Sequence, residues 1–262
     1  MENLIYWLIG GICIYIVIYG WKQVFEEFDN VNQPDDEIKL VVSRYNESID
    51  WFGSSPFDKF KIKCYNKGPE ITEEQIVDKS RIEVSELPNV GRCDHTYLHY
   101  IVENYDNLPN ITIFLPGSCL DDEKEAKTKF IIKKTVQTKN TVFLGYKLPD
   151  ILNNIYDFNL TAYSCKNPQN KKLNPEVKLQ LSPIRPFGAW YLHNFGNIKT
   201  NFISFHGIFS IHKSHILSHP KEYYENLLAY LDIHSNPEVG HYFERAWATI
   251  FYPIEDECFY YE

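Results

Sequence analysis

The alternation of apolar and polar positions divides the chain into three parts. From Leu4 to Trp21, "LIYWLIGGICIYIVIYGW" carries no charge. Residues 26–37, "EEFDNVNQPDDE", are acidic and have no period. From Ile38 onward, short apolar runs alternate with amphipathic stretches. "IKLVVSRY" (38–45), "KFKIKCYNKG" (59–68), "ITIFLPG" (111–117) and "TVFLGY" (141–146) have the length and flanking turn residues of strands. The first is apolar on consecutive positions, the profile of a strand buried on both faces of a parallel sheet. Between the runs, the stretch from Cys93 to Tyr105 and "DDEKEAKTKFIIKKTV" (121–136) have helical spacing. The latter places acids in its first turn and lysines in its last, in line with the helix dipole. Strand and helix alternate from Ile38 to Tyr156, which predicts an α/β domain with a mostly parallel sheet flanked by helices. "PKEYYENLLAYL" (220–231), with Pro220 suited to a first turn, and "VGHYFERAWATIF" (239–251) predict two further helices.

The uncharged stretch, about 18 residues, is long enough to cross a bilayer core of about 30 Å. Tyr6 and Trp7 at one end and Tyr19 and Trp21 at the other suit the headgroup level. It lacks the basic leader and small-x-small site of a cleaved signal. The expected organisation is therefore a transmembrane anchor (1–22), an acidic stalk (23–37) and one α/β domain (38–262), with the membrane as partner through residues 4–21. With 44% apolar and 16% aromatic content, 225 or so residues beyond the stalk suffice for one large core. The net charge is −9, and the basic residues are scattered apart from the run Lys124–Lys134, read as the solvated face of a helix. No nucleic-acid partner is expected, because such binding draws its affinity from a basic surface. Of the six cysteines, Cys13 lies in the anchor; the other five have no CxxC spacing and read as thiols rather than a disulfide framework. Sequons at Asn46, Asn110 and Asn159 leave compartment and orientation open.

In an open α/β sheet, ligands bind outside the carboxyl ends of the strands. The polar residues expected there are Arg44, Asn46 and Glu47 after the first strand, and Asn66 and Lys67 after the second. Either they serve a ligand or they are ordinary turn formers. "LPNVGRCDHTYLHYI" (87–101) places His95 and His99 one helical turn apart. The pair suits a metal if Asp94, His206, His212 or His241 supplies a third ligand, although Thr96 stands where HExxH has its acid. Alternatively, Arg92 and His95 donate to a phosphate and His99 packs. A nucleotide-sugar cleft needs such donors for the diphosphate, which Arg44, Lys67, Arg92 and His95 provide, and amides for a base edge, which Asn46 and Asn66 provide. In "GHYFERAW", His241 and Glu244 share a helical face with Arg245 close by. Glu244 is the candidate general base, with a surface Glu–Arg pair as the alternative. The aromatic stretch "PFGAWYLHNFG" (186–196) either stacks on a sugar ring or fills the core.

"VVSRYNESIDWF", "CYNKG", "LPNVGRCDHTYLHYIVENYDNLP", "IFLPG" and "GHYFERAWATIF", in this order, resemble an uncharacterised domain-of-unknown-function family of eukaryotes and large DNA viruses. The layout is more remotely similar to the A-type fold of nucleotide-sugar glycosyltransferases. That resemblance implies a membrane-anchored transferase moving a sugar from a nucleotide-sugar donor to a glycan or glycoprotein acceptor. "RYNE" matches its polar first-strand end and "YNKG" its base-reading turn. It implies catalytic roles for Glu244 and His241, with Glu238 as a second choice of base. Arg44, Asn46, Glu47, Asn66, Lys67, Asn89, Gly91, Arg92 and His95 are the substrate-binding residues it implies. The chain departs from the pattern where Asp-x-Asp should hold a divalent metal: Leu115-Pro116-Gly117 stand there, and none offers a carboxylate oxygen. A non-catalytic membrane-bound binding or assembly protein with the same fold is the alternative, and a zinc hydrolase a third.

Overall fold

Along β1 (Ile38–Arg44), Ile38, Leu40 and Val42 enter one hydrophobic cluster, while Val41 enters another on the opposite face. β4 (Ile111–Pro116) repeats the division, with Ile111, Ile113 and Leu115 on one side and Phe114 on the other. This is the two-sided burial expected of parallel strands covered by helices on both faces. A computed structural model describes residues 37–163, 172 and 178–262. The expected anchor (1–22) and the stalk up to residue 36 lie outside the described residues, among which no helix is long and apolar enough to cross a membrane.

The main sheet has the order β3-β2-β1-β4-β7. β2 (Lys61–Asn66), β3 (Ile82–Glu86), β1 and β4 run parallel, and β7 (Phe209–His212) closes the sheet antiparallel to β4. β5 (Phe143–Lys147) joins β6 (Phe202–Ile203) and β8 (Phe259–Tyr261) in a three-stranded sheet. A bridge between Val142 and Ser210 ties that sheet to β7. The fold is thus mixed α/β with a mostly parallel central sheet. The chain lays β1, β2 and β3 outward in one direction and then places β4 on the other side of β1. That reversal makes the carboxyl ends of β1 and β4 the switch point, the place where open α/β sheets bind ligands.

The two faces have different cores. Against one lie α1 (Arg92–Glu103) and α7 (Glu238–Ile250), with α4 (Phe187–Phe195) and α6 (Lys221–Leu228) behind them. The shared core is aromatic: Tyr97, Phe114, Phe143, Trp190, Phe209, Tyr242 and Trp247 are fully buried. Burying such a ring contributes roughly 1.5–3 kcal/mol relative to exposure. Against the other face, α2 (Asp122–Thr138) and 3-10 turns at Asp50–Gly53 and Phe57–Lys59 enclose a largely aliphatic core. Two short helices, α3 (Ile151–Ile155) and α5 (Lys213–Ile216), and 3-10 turns at Glu73–Gln75, Tyr105–Asn107 and Asp256–Cys258 are the other described elements.

Two expectations need correction. α2 runs on to Thr138, so the lysines expected in its last turn lie before it; Lys139, at φ 51°, ends the helix in the left-handed region. Lys127 is not solvated: it is 5% exposed and lies 3.1 Å from Glu262. Of the two readings of the aromatic stretch 186–196, the core is the one found: it holds helix α4, with Phe187, Trp190, Tyr191 and Phe195 buried rather than presented to a sugar.

Candidate functional site

Two polar clusters form where the carboxyl ends of the strands meet α1 and α7. The first is built from the residues that follow β1 and β2. Arg44 donates through Nε to the Glu47 carbonyl at 2.9 Å, and through Nη1 to Asn66 Oδ1 and the Pro69 carbonyl, both at 2.6 Å. Asn66 is fully buried, and its Nδ2 donates to the Pro69 carbonyl and Glu86 Oε1, both at 3.0 Å. Glu47 Oε2 accepts the backbone N–H groups of Tyr45 (2.7 Å) and Asn46 (3.0 Å). Lys67 donates to the carbonyls of Val90 and Arg92, the latter at 2.7 Å, and burial pushes its ammonium down to about 7. Arg44, Glu47, Asn66 and Lys67 therefore bond to one another's loops, while Asn46 and Asn89 stand half-buried at the rim.

The position after β4 bears on a divalent metal. A Cβ on Gly117 would lie 2.8 Å from Glu47 Oε2 and 3.2 Å from the Arg44 Cα, so this site has no room for an acid. Asp121 is 3.8 Å from Lys124. Among the described residues, no group of three or more His, Cys, Asp or Glu side chains is placed to hold a metal ion. The residues present do not fit the Asp-x-Asp metal of A-type transferases. His95 and His99 stack with centroids 5.9 Å apart, but they face different acids: His95 Nε2 is 3.4 Å from Asp232 and His99 Nε2 is 3.9 Å from Glu103. Asp94 and His241 belong to the second cluster instead. Burial, with Lys67 second, pushes His95 down to about 4, which makes it a neutral donor rather than a cation.

The second cluster joins the start of α1 to the face of α7. Gly91 (φ 58°) and Arg92 (φ 55°) both adopt left-handed backbone where α1 begins. At Gly91 a Cβ would lie 2.5 Å from the Leu231 carbonyl, so only glycine fits. From that turn Arg92 reaches across to α7, where its Nη1 lies 3.0 Å from His241 Nε2. Gly240 makes room for the crossing, since a Cβ there would lie 3.2 Å from Arg92 Cδ. Burial, then the charges of Arg92 and Arg245, push His241 down to about 3. A neutral ring facing a guanidinium must accept through Nε2, which assigns its proton to Nδ1, 3.9 Å from Glu244 Oε2. Glu244 accepts the His206 backbone N–H at 2.7 Å and pairs with Arg245 at 3.3 Å. Its side chain keeps 22% of its surface in solvent.

Asp94 lies beneath this group, 2% exposed, and accepts the Trp247 indole N–H at 2.9 Å. Burial first and the Glu244 charge second raise its carboxyl to about 7 against the pull of Arg92. The sequence offered Asp94 only as a metal ligand; its place in the first turn of α1, two residues past Arg92, was the available signal. His206 (φ 73°) and Gly207 (φ 63°) were also missed in this role. They form the turn into β7 that brings the His206 N–H onto Glu244. On the same helix Glu238 is sealed: it accepts from Leu160 N–H, Tyr242 Oη and Ser182 N–H at 2.8–2.9 Å and lies 2.8 Å from Arg185 Nε. At 0% exposure it ties Leu160, Ser182 and Arg185 to α7 and has no face left for a substrate.

Over residues 40–142 the chain is similar to DUF3431, a family of proteins of unknown function. The match begins in β1 and ends just before β5, so it holds the first cluster together with Arg92 and Asp94. His241, Glu244 and Arg245 lie beyond it. No curated protein and no solved structure matches the chain.

Proposed function

We propose that this chain is a membrane-anchored, glycosyltransferase-like protein that moves a sugar from a nucleotide-sugar donor to a glycan or glycoprotein acceptor without an Asp-x-Asp metal site. The observation that carries the reading is Glu244, a partly open carboxylate in a cluster with His241, Arg245 and the His206 N–H. Its cluster joins the start of α1, which Thr96 ties to Ser43 near the carboxyl end of β1, beside the point where the strand order reverses between β1 and β4 and open α/β sheets bind ligands. In this reading Glu244 takes the proton of the acceptor hydroxyl. The hydroxyl oxygen attacks the anomeric carbon, the bond from that carbon to the donor phosphate breaks, and the nucleoside diphosphate leaves with the electron pair. His241 stays neutral, with its Nδ1 3.9 Å from the Glu244 carboxylate. The residues of the first cluster, expected to bind substrate, act on it through the loops that they fix.

The same bonds favour one second reading. Arg44, Asn66 and Lys67 spend donors on internal acceptors, and Gly117 leaves no metal ligand after β4. A non-catalytic membrane-bound binding or assembly protein would have this arrangement too. Thermal unfolding of the full-length chain in detergent, against a panel of nucleotide-sugars with and without Mn²⁺, tests the proposal. A donor at 100 times its dissociation constant adds about 2.7 kcal/mol, which reads as a clear melting shift. The transferase reading expects a Mn²⁺-independent shift with one donor class and turnover of that donor. A shift without turnover supports the binding protein, and no shift with any donor removes the transferase reading.

A further inference from the structure

The second cluster sets two guanidiniums against Glu244 and the buried Asp94. The Arg92 guanidinium lies 4.8 Å from the Tyr163 ring centroid, and Arg245 lies 3.9 Å from that of Phe158 and 5.1 Å from that of Phe205. Aromatic faces thus support both planes, which limits the ways each fork can turn. His241 sits between them, bonded to Arg92 through Nε2 and to Arg245 through its carbonyl at 2.8 Å. The acids facing the two arginines are Glu244 and Asp94, and Asp94 holds a proton part of the time near neutral pH. In a chain of net charge −9, the left-handed backbone at Arg92 and the missing side chain at Gly240 bring a second guanidinium to the His241 face of α7, beside Arg245. Forked donors suit the oxygens of a phosphoryl group, and bidentate charge-assisted bonds need no metal.

We propose that Arg92 and Arg245, on either side of His241, form a metal-independent clamp for a diphosphate. The clamp rests on the transferase reading for its physiological occupant, the leaving nucleoside diphosphate. It supplies from side chains the neutralisation that a divalent ion supplies elsewhere. Arg245 and the aromatic supports Tyr163, Phe158 and Phe205 join the site on this account.

The test is titration of the full-length protein with inorganic pyrophosphate in EDTA, followed by calorimetry, for the wild type, Arg245→Gln and Arg92→Gln. The clamp predicts saturable binding by the wild type, weakened about tenfold or more in each variant, the loss expected for a charge-assisted pair. Arg245→Lys keeps the charge, folds more readily, and should fall between the two. No binding by the wild type, or equal binding by all variants, overturns the clamp. Donor turnover with unchanged KM in Arg245→Gln also overturns it while the transferase reading stands. Pyrophosphate binding of the predicted pattern without turnover of any donor leaves the clamp standing and removes the transferase reading.

Discussion

The two polar clusters lie at the same edge of one sheet and use the same residue types, yet they are built differently. Around Arg44 and Asn66, cationic and amide donors meet carbonyls and carboxylates from adjacent loops, and the result is a closed network. Around Arg92 and Glu244, one guanidinium meets a neutral imidazole and the other a partly exposed carboxylate, above an acid whose own charge is disfavoured. The first arrangement stabilises the fold. The second keeps charge and exposed surface in reserve, which a folded chain tolerates where a ligand completes the site. Polarity at a strand end is therefore a weak guide to chemistry; what matters is whether the side chain's bonds are already made.

Substitutions can break or sharpen this contrast. The largest effect is expected at Arg44. Arg44→Met removes the donor to the Glu47 carbonyl and leaves the fully buried Asn66 with only the Gly68 N–H, at 3.4 Å, on its Oδ1, and should cost about 3 kcal/mol or more in urea unfolding. A loss under about 1 kcal/mol would mean the first cluster is not structural. Next comes Glu238→Gln, expected to cost about 2–3 kcal/mol, because an amide cannot accept from all of its present donors. Equal stability of Glu238→Gln and the wild type would erase the contrast between the two acids of α7.

A third substitution reads the second cluster through pH. The Asp94 carboxyl is raised from 3.8 to about 7, so between these values the folded chain holds a proton that the unfolded chain has released. Its contribution to stability therefore falls as pH rises from about 4 to about 7. Asp94→Asn keeps the acceptor for Trp247 and removes the charge. Relative to the wild type, its stability should rise progressively as pH rises from about 4 to about 7 and then level off. A pH-independent difference between the two proteins would contradict the burial of that charge. The smallest effect is at Gly117→Ala, where a methyl would press on Glu47 and the Arg44 backbone. About 1 kcal/mol of destabilisation is expected, and a neutral result would reopen the position after β4 to larger side chains.

Much of the scaffold was legible in the sequence, because β1, β2, β4, β5, α1, α2, α6 and α7 each carry a clear period or a bounded apolar run. β3 was not, since an edge strand with half-exposed Val84 and Ser85 has little contrast. α4 was hidden for the opposite reason: a helix apolar around most of its circumference shows no amphipathic stripe. In the site, the sequence placed His241 and Glu244 on one helical face and Arg92 at the start of α1, and the structure brings these three together. It did not show that Arg44 and Asn66 bond to each other, because their pairing depends on β1 and β2 being neighbours in register. Nor did it show Asp94 beneath Trp247, a contact between residues 153 positions apart.

The most direct test of the account is sugar transfer by Glu244→Gln, with urea unfolding of the same sample as control. The account predicts a loss of about 10²–10⁴ in rate, the usual contribution of a general base, with stability within about 1 kcal/mol of the wild type. Transfer at the wild-type rate by the folded variant would contradict it.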